Sequence, residues 1–153
     1  VITPMPLNLA VLNNDRAEEV IDKYPHIKKW SIGGHSLGGA MAARYAYYNT
    51  DKVSGLILLA SYPADSNDLS DKEIEVLSMY GTEDGITTLS EIKKTRKYLP
   101  QDAELVSIKG GNHTQFGWYG DALQPGDKKA SISRKKQQKI IVNKISDFMN
   151  GLH

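Results

Sequence analysis

The run Val53-Ser54-Gly55-Leu56-Ile57-Leu58-Leu59-Ala60 constrains the fold more than any other stretch. It has the length of a strand and is almost continuously apolar, whereas a strand with one wet face alternates apolar and polar residues. Such a run is covered on both sides, and the architecture that does this is a parallel sheet with helices packed on each face. The remaining chain alternates accordingly. Further strands are expected at about Lys28 to Gly33, Ile74 to Tyr80 and Ala103 to Ile108. A helix from about Asn14 to Lys23, with Ala17, Val20 and Ile21 on one side, stops at Tyr24-Pro25, because proline cannot continue it. Leu37 to Tyr48 is a second helix, with Ala40, Ala43 and Tyr47 towards the sheet. A third, capped by Thr87 or Thr88, runs to about Tyr98 before Pro100, and a fourth spans about Arg134 to Asn150 with Ile141, Ile145, Phe148 and Leu152 at helical spacing. The fold class is therefore α/β, a mostly parallel sheet flanked by helices on both faces.

A length of 153 residues is that of one domain, and it can bury a real core. No cysteine is present, which excludes disulfides, thiolate metal sites and cysteine nucleophiles. No apolar run approaches the 18 residues of a membrane-spanning helix. The net charge of +1 makes no case for nucleic acid. The bases do gather towards the C-terminus (Lys109, Lys128, Lys129, Arg134, Lys135, Lys136, Lys139, Lys144), but they are not interleaved with aromatics and read as a solvated face.

Chemistry is concentrated in Gly34-His35-Ser36-Leu37-Gly38-Gly39, between an expected strand and an expected helix. A serine raised on such a turn takes a strained backbone conformation, and residues two positions either side must lack bulk for strand and helix to approach. Gly34 and Gly38 meet that need, and His35 is the variable position of the elbow. The Leu37 N–H, at the helix start, is placed to bind a developing oxyanion. A serine nucleophile needs a base. Of four histidines, His26 lies in a connecting turn, His35 in the elbow itself and His153 at the chain end. His113, in the Gly110-Gly111-Asn112-His113 turn after the last strand, lies where ligands bind in open parallel sheets. Asp84 follows the strand Ile74 to Tyr80 and is the candidate to orient that base, with Glu83, Asp65 and Asp68 as competitors. The order Ser36, Asp84, His113 is that of a nucleophile-elbow hydrolase.

These residues resemble the α/β-hydrolase superfamily. The stretch from Gly110 to Gly120, the run Gln124-Pro125-Gly126-Asp127 and the segment Met5-Pro6-Leu7-Asn8-Leu9-Ala10 are similar to its bacterial dienelactone-hydrolase and carboxylesterase group. The resemblance implies that the chain corresponds to the C-terminal part of that domain, with Val1 to Pro4 ending the fourth strand and three earlier strands outside it. The second oxyanion donor, which the loop after the third strand supplies, is then also outside the chain. The strand leading to Ser36 becomes a sheet edge, open to a missing N-terminal piece or to a second copy. The loop from Ser61 to Asp71 is too short for a lid, which suits small substrates, and Phe116, Trp118 and Tyr119 either line an acyl pocket or pack the long loop.

The expected function is a serine hydrolase acting on small carboxylic esters through an acyl-enzyme, with no metal and no organic cofactor. Thioester cleavage and acyl transfer share its first half. A weakly active or non-catalytic scaffold is the alternative from another class.

Overall fold

Four parallel strands, β1 (Trp30–His35), β2 (Val53–Leu59), β3 (Glu75–Gly81) and β4 (Glu104–Ile108), form one sheet in the order β1-β2-β3-β4. The structure is a computed structural model, and it describes residues 16–120 and 122–152. Helix α1 (Arg16–Lys23) precedes β1, and α2 (Leu37–Tyr48) crosses from β1 to β2. Helix α3 (Leu89–Thr95) lies between β3 and β4, and α4 (Arg134–Gly151) follows the long loop after β4.

The period of two along β2 explains its unbroken apolarity. Leu56 and Leu58 join one core with Ala42, Ala43, Tyr45 and Ala46 of α2, while Ile57 joins a second core with Leu77, Met79, Ile141 and Phe148. Each fully buried leucine contributes about 1.5–3 kcal/mol relative to exposure, so the two layers hold β2 as the centre of the fold. Ile145 and Leu152 pack against the second core as the helical spacing of α4 required.

Two details differ from the sequence reading, and a third concerns the start of α4. The buried face of α2 is Gly39, Ala42, Ala43, Tyr45 and Ala46, and neither Ala40 nor Tyr47 is fully buried. Small residues occupy two faces of this helix, so composition does not choose between them. The tight seat of Gly39 does, since a Cβ there would lie 2.7 Å from the Ser61 hydroxyl. Helix α3 ends at Thr95 and tightens into a 3-10 turn at Arg96–Tyr98. The Arg96 guanidinium donates to the carbonyls of Leu99, Pro100 and Gln101, which gives the chain end of this segment its partners. The Arg-Lys-Lys start of α4 has a cap before it: the Ser133 hydroxyl accepts from the Lys136 N–H. Such a cap is worth about 1 kcal/mol, enough to offset a few tenths of unfavourable interaction with the helix dipole.

Among the described residues β1 pairs only with β2, so within them the strand that leads to Ser36 lies at one side of the sheet. The strand expected at Val1 to Pro4, the Met5 to Ala10 segment, the first residues of the Asn14 helix and His153 lie outside the described residues.

Candidate active site

Ser36 stands between the last residue of β1 and the first of α2, at φ 54° and ψ −125°, a region that L-residues seldom occupy. Four hydrogen bonds hold it there. Its N–H donates to the Leu59 carbonyl at 3.0 Å, and its carbonyl accepts from the Ser61 hydroxyl at 2.7 Å and from the N–H groups of Gly39 and Ala40. Its own hydroxyl makes no capping bond to α2, although serine at this position usually caps. The Oγ is thus left for chemistry. Leu37 is the first residue of α2, whose opening N–H groups have no partner within the helix.

The need for glycine is one-sided. A Cβ on Gly34 would lie 2.5 Å from the Gly38 carbonyl oxygen and 2.7 Å from the Gly39 nitrogen, whereas a Cβ on Gly38 would meet nothing within 4 Å. Close approach therefore rests on Gly34 and Gly39, and Gly38 is not required for space. Gly34→Ala should lower stability in urea denaturation by about 1–3 kcal/mol, the cost of overpacking, while Gly38→Ala should be neutral or stabilising by up to about 1 kcal/mol. Equal costs at both positions would contradict this account.

Asp84 and His113 come together. The His113 Nδ1 lies 2.9 Å from Asp84 Oδ2, and both side chains are fully buried. A carboxylate only accepts, so Nδ1 carries the hydrogen and the neutral ring keeps its lone pair on Nε2. The other oxygen, Oδ1, accepts from the N–H groups of Ile86 at 2.8 Å and Thr87 at 2.6 Å. Thr87 is itself anchored, its hydroxyl donating to the Ala60 carbonyl. The competing acids do not take part in this pairing: Asp65 and Asp68 are exposed, and Asp68 accepts from the Ser70 N–H. His26 is exposed against Tyr24. The His113 Nε2 is buried and has no hydrogen-bond partner, Ser36 Oγ included. Bonds of this type are often long in ligand-free sites and tighten only with substrate bound.

Two polar residues to which the sequence reading assigned no role hold the histidine loop. Asp127 accepts from the N–H groups of Gly85, His113, Thr114 and Lys128 and from the Thr114 hydroxyl, so one carboxylate ties the turn of Asp84 to the turn of His113. Burial pushes its carboxyl up, but the Thr114 and backbone donors outweigh that and hold it below the ordinary carboxylate range. Gln137, fully buried in α4, grips the peptide of Asn112 from both sides: its Oε1 accepts from the Asn112 N–H at 3.1 Å and its Nε2 donates to the Asn112 carbonyl at 2.9 Å. Neither role has a sequence signature, because the groups they bind are backbone apart from the Thr114 hydroxyl.

Of the three aromatics expected near the site, Phe116 is buried in the second core, while Trp118 and Tyr119 are 71% and 65% exposed. Tyr119 lies near the elbow, its hydroxyl 3.0 Å from His35 Nδ1. Trp118 instead receives the Arg134 guanidinium over its ring at 5.4 Å. No cluster of three metal-binding side chains exists among the described residues.

The parallel sheet and a serine elbow at its C-terminal edge are the features of one class of protein. The sequence profile of the alpha/beta hydrolase family matches residues 1–139, and the chain belongs to that family. No curated protein matches the sequence. Several solved structures share the fold. A hydrolase described as CIB-like from Thermoplasma acidophilum is 19% identical, with a TM-score of 0.60 over 88% of this chain and 60% of that one. A thermophilic esterase from Thermogutta terrifontis is 13% identical, with a TM-score of 0.62 over 93% and 72%. A dienelactone hydrolase-like promiscuous phosphotriesterase from metagenomic libraries is 16% identical, with a TM-score of 0.61 over 90% and 62%. The chain thus spans about 60% of the length of the Thermoplasma protein.

Proposed function

We propose that this chain carries the nucleophile, base and acid of a serine hydrolase acting on small carboxylic esters. The observation that carries the reading is the buried Asp84–His113 pair with an unpartnered Nε2, at the same end of the sheet as a strained serine whose hydroxyl caps nothing. Ser36 Oγ attacks the ester carbonyl while His113 Nε2 takes its proton, and Asp84 stabilises the imidazolium that results. The Leu37 N–H donates to the oxyanion. His113 then returns the proton to the leaving alcohol, and a water molecule, deprotonated in the same way, releases the acid. The esterase among the structural neighbours is in keeping with this reading.

Each oxyanion donor is worth about 10²–10³ in kcat, so the Leu37 N–H carries a large share of the rate on this reading. Acylation of Ser36 is the step to test. Treatment with a fluorophosphonate followed by peptide mass mapping should place a single adduct on Ser36, with hydrolysis of p-nitrophenyl acetate lost in parallel. An adduct at another residue, or none, overturns the assignment and leaves the scaffold reading.

A further inference from the structure

His35 has no part in the steps above, yet its surroundings are built. From the end of β1 its ring lies among three rings of the loop that carries His113. Centroids are 4.5 Å apart for His113, with planes tilted by 46°, and 5.8 Å apart for both Phe116 and Tyr119, with planes near parallel. Nδ1 is 3.0 Å from the Tyr119 hydroxyl, and Nε2 is buried without a hydrogen-bond partner. Tyr119 is largely exposed, so its ring is free to turn to solvent, but it is folded back. Gly117 makes this possible: a Cβ there would overlap the Tyr119 ring, with Cδ2 at 2.8 Å.

We propose that Tyr119 and His35 form a latch that positions His113, the Tyr119 hydroxyl fixing the His35 ring and the His35 ring limiting how far His113 can pivot about its bond to Asp84. The proposal rests on the serine-hydrolase reading. His113 is tethered through Nδ1 alone, and a displacement of about 1 Å in a reacting group can cost 10²-fold in rate. Burial first, and the charge His113 acquires second, push the His35 ring down to about 4, against the pull of Asp84, the His113 carbonyl and Asp127. His35 therefore stays neutral at working pH and sets no fixed cation beside His113 when that ring takes a proton. His35 and Tyr119 are positioning residues, since neither exchanges a proton with substrate.

The test is a double-mutant cycle on the 153-residue chain with p-nitrophenyl acetate. Tyr119→Phe keeps the ring and removes the hydroxyl, so kcat should fall about 3- to 10-fold, the weight of one hydrogen bond, with KM changed less than about twofold. His35→Phe should cost at least as much, and the double variant no more than His35→Phe, because the hydroxyl then has nothing to fix. His35→Gln, which keeps a partner for the hydroxyl, should recover part of the loss. Additive losses, or a change confined to KM, overturn the latch. If the unmodified chain neither turns over substrate nor forms a Ser36 adduct, the hydrolase reading fails by itself. The latch is then decided by the ring resonances of His113, which Tyr119→Phe should shift and which overturn it if they do not move.

Discussion

Asp84→Asn should lower kcat/KM for p-nitrophenyl acetate by about 10⁴-fold while leaving the fold intact, the loss seen when a triad acid becomes an amide. The geometry says which way the amide turns. Two backbone donors, the N–H groups of Ile86 and Thr87, converge on Oδ1, so the amide oxygen takes that position and the NH₂ takes the place of Oδ2. An NH₂ facing His113 Nδ1 forces that nitrogen to accept, and the ring hydrogen moves to Nε2. The base then has no lone pair to offer Ser36. Nitrogen NMR of the His113 ring should report the exchanged tautomer, and activity within tenfold of the unmodified chain would show that Asp84 does not set it.

Asp127→Ala should be nearly as damaging by another route, with a stability loss of about 2–4 kcal/mol as several backbone donors lose their acceptor together. The turns of Asp84 and His113 would then no longer share a tie, and turnover should fall with stability. The pH dependence follows from the sign of the shift. A carboxyl held below its unfolded value stabilises fully above the ordinary carboxylate range, and the contribution is lost as pH falls through its lower folded value. The unmodified chain should therefore lose stability on acidification below about pH 4, and Asp127→Ala should flatten that limb of a denaturation-midpoint profile. An unchanged profile would assign the acid limb to other groups.

What could be read from the sequence depended on whether a signal was periodic or relational. Leu56 and Leu58 on one face and Ile57 on the other follow from alternation along a continuous run, and Gly34-His35-Ser36 is legible because strand, turn and helix each leave their own mark. Asp84 and His113 could be ranked because strand ends are where parallel sheets collect ligand-binding loops. Asp127 and Gln137 could not be ranked. One lies just after a Pro-Gly turn and the other within a basic helix start, and both act on peptide groups that every sequence possesses. Gly38 failed in the opposite direction: the elbow pattern asks for a small residue there, but the space around it is open, and the crowding falls on Gly34 and Gly39 instead.

The grip of Gln137 on Asn112 has a consequence in time. The chain is made in the order Ser36, Asp84, His113, Gln137, and Gln137 belongs to α4. Synthesis runs from the N-terminus, so Ser36, Asp84 and His113 all emerge before the side chain that grips the Asn112 peptide. A nascent chain halted before Ser133 carries Ser36, Asp84, His113 and the Asp127 tie, but lacks the Gln137 grip on the Asn112 peptide. On the serine-hydrolase reading, the backbone of the His113 loop therefore gains its full set of partners only once α4 has emerged.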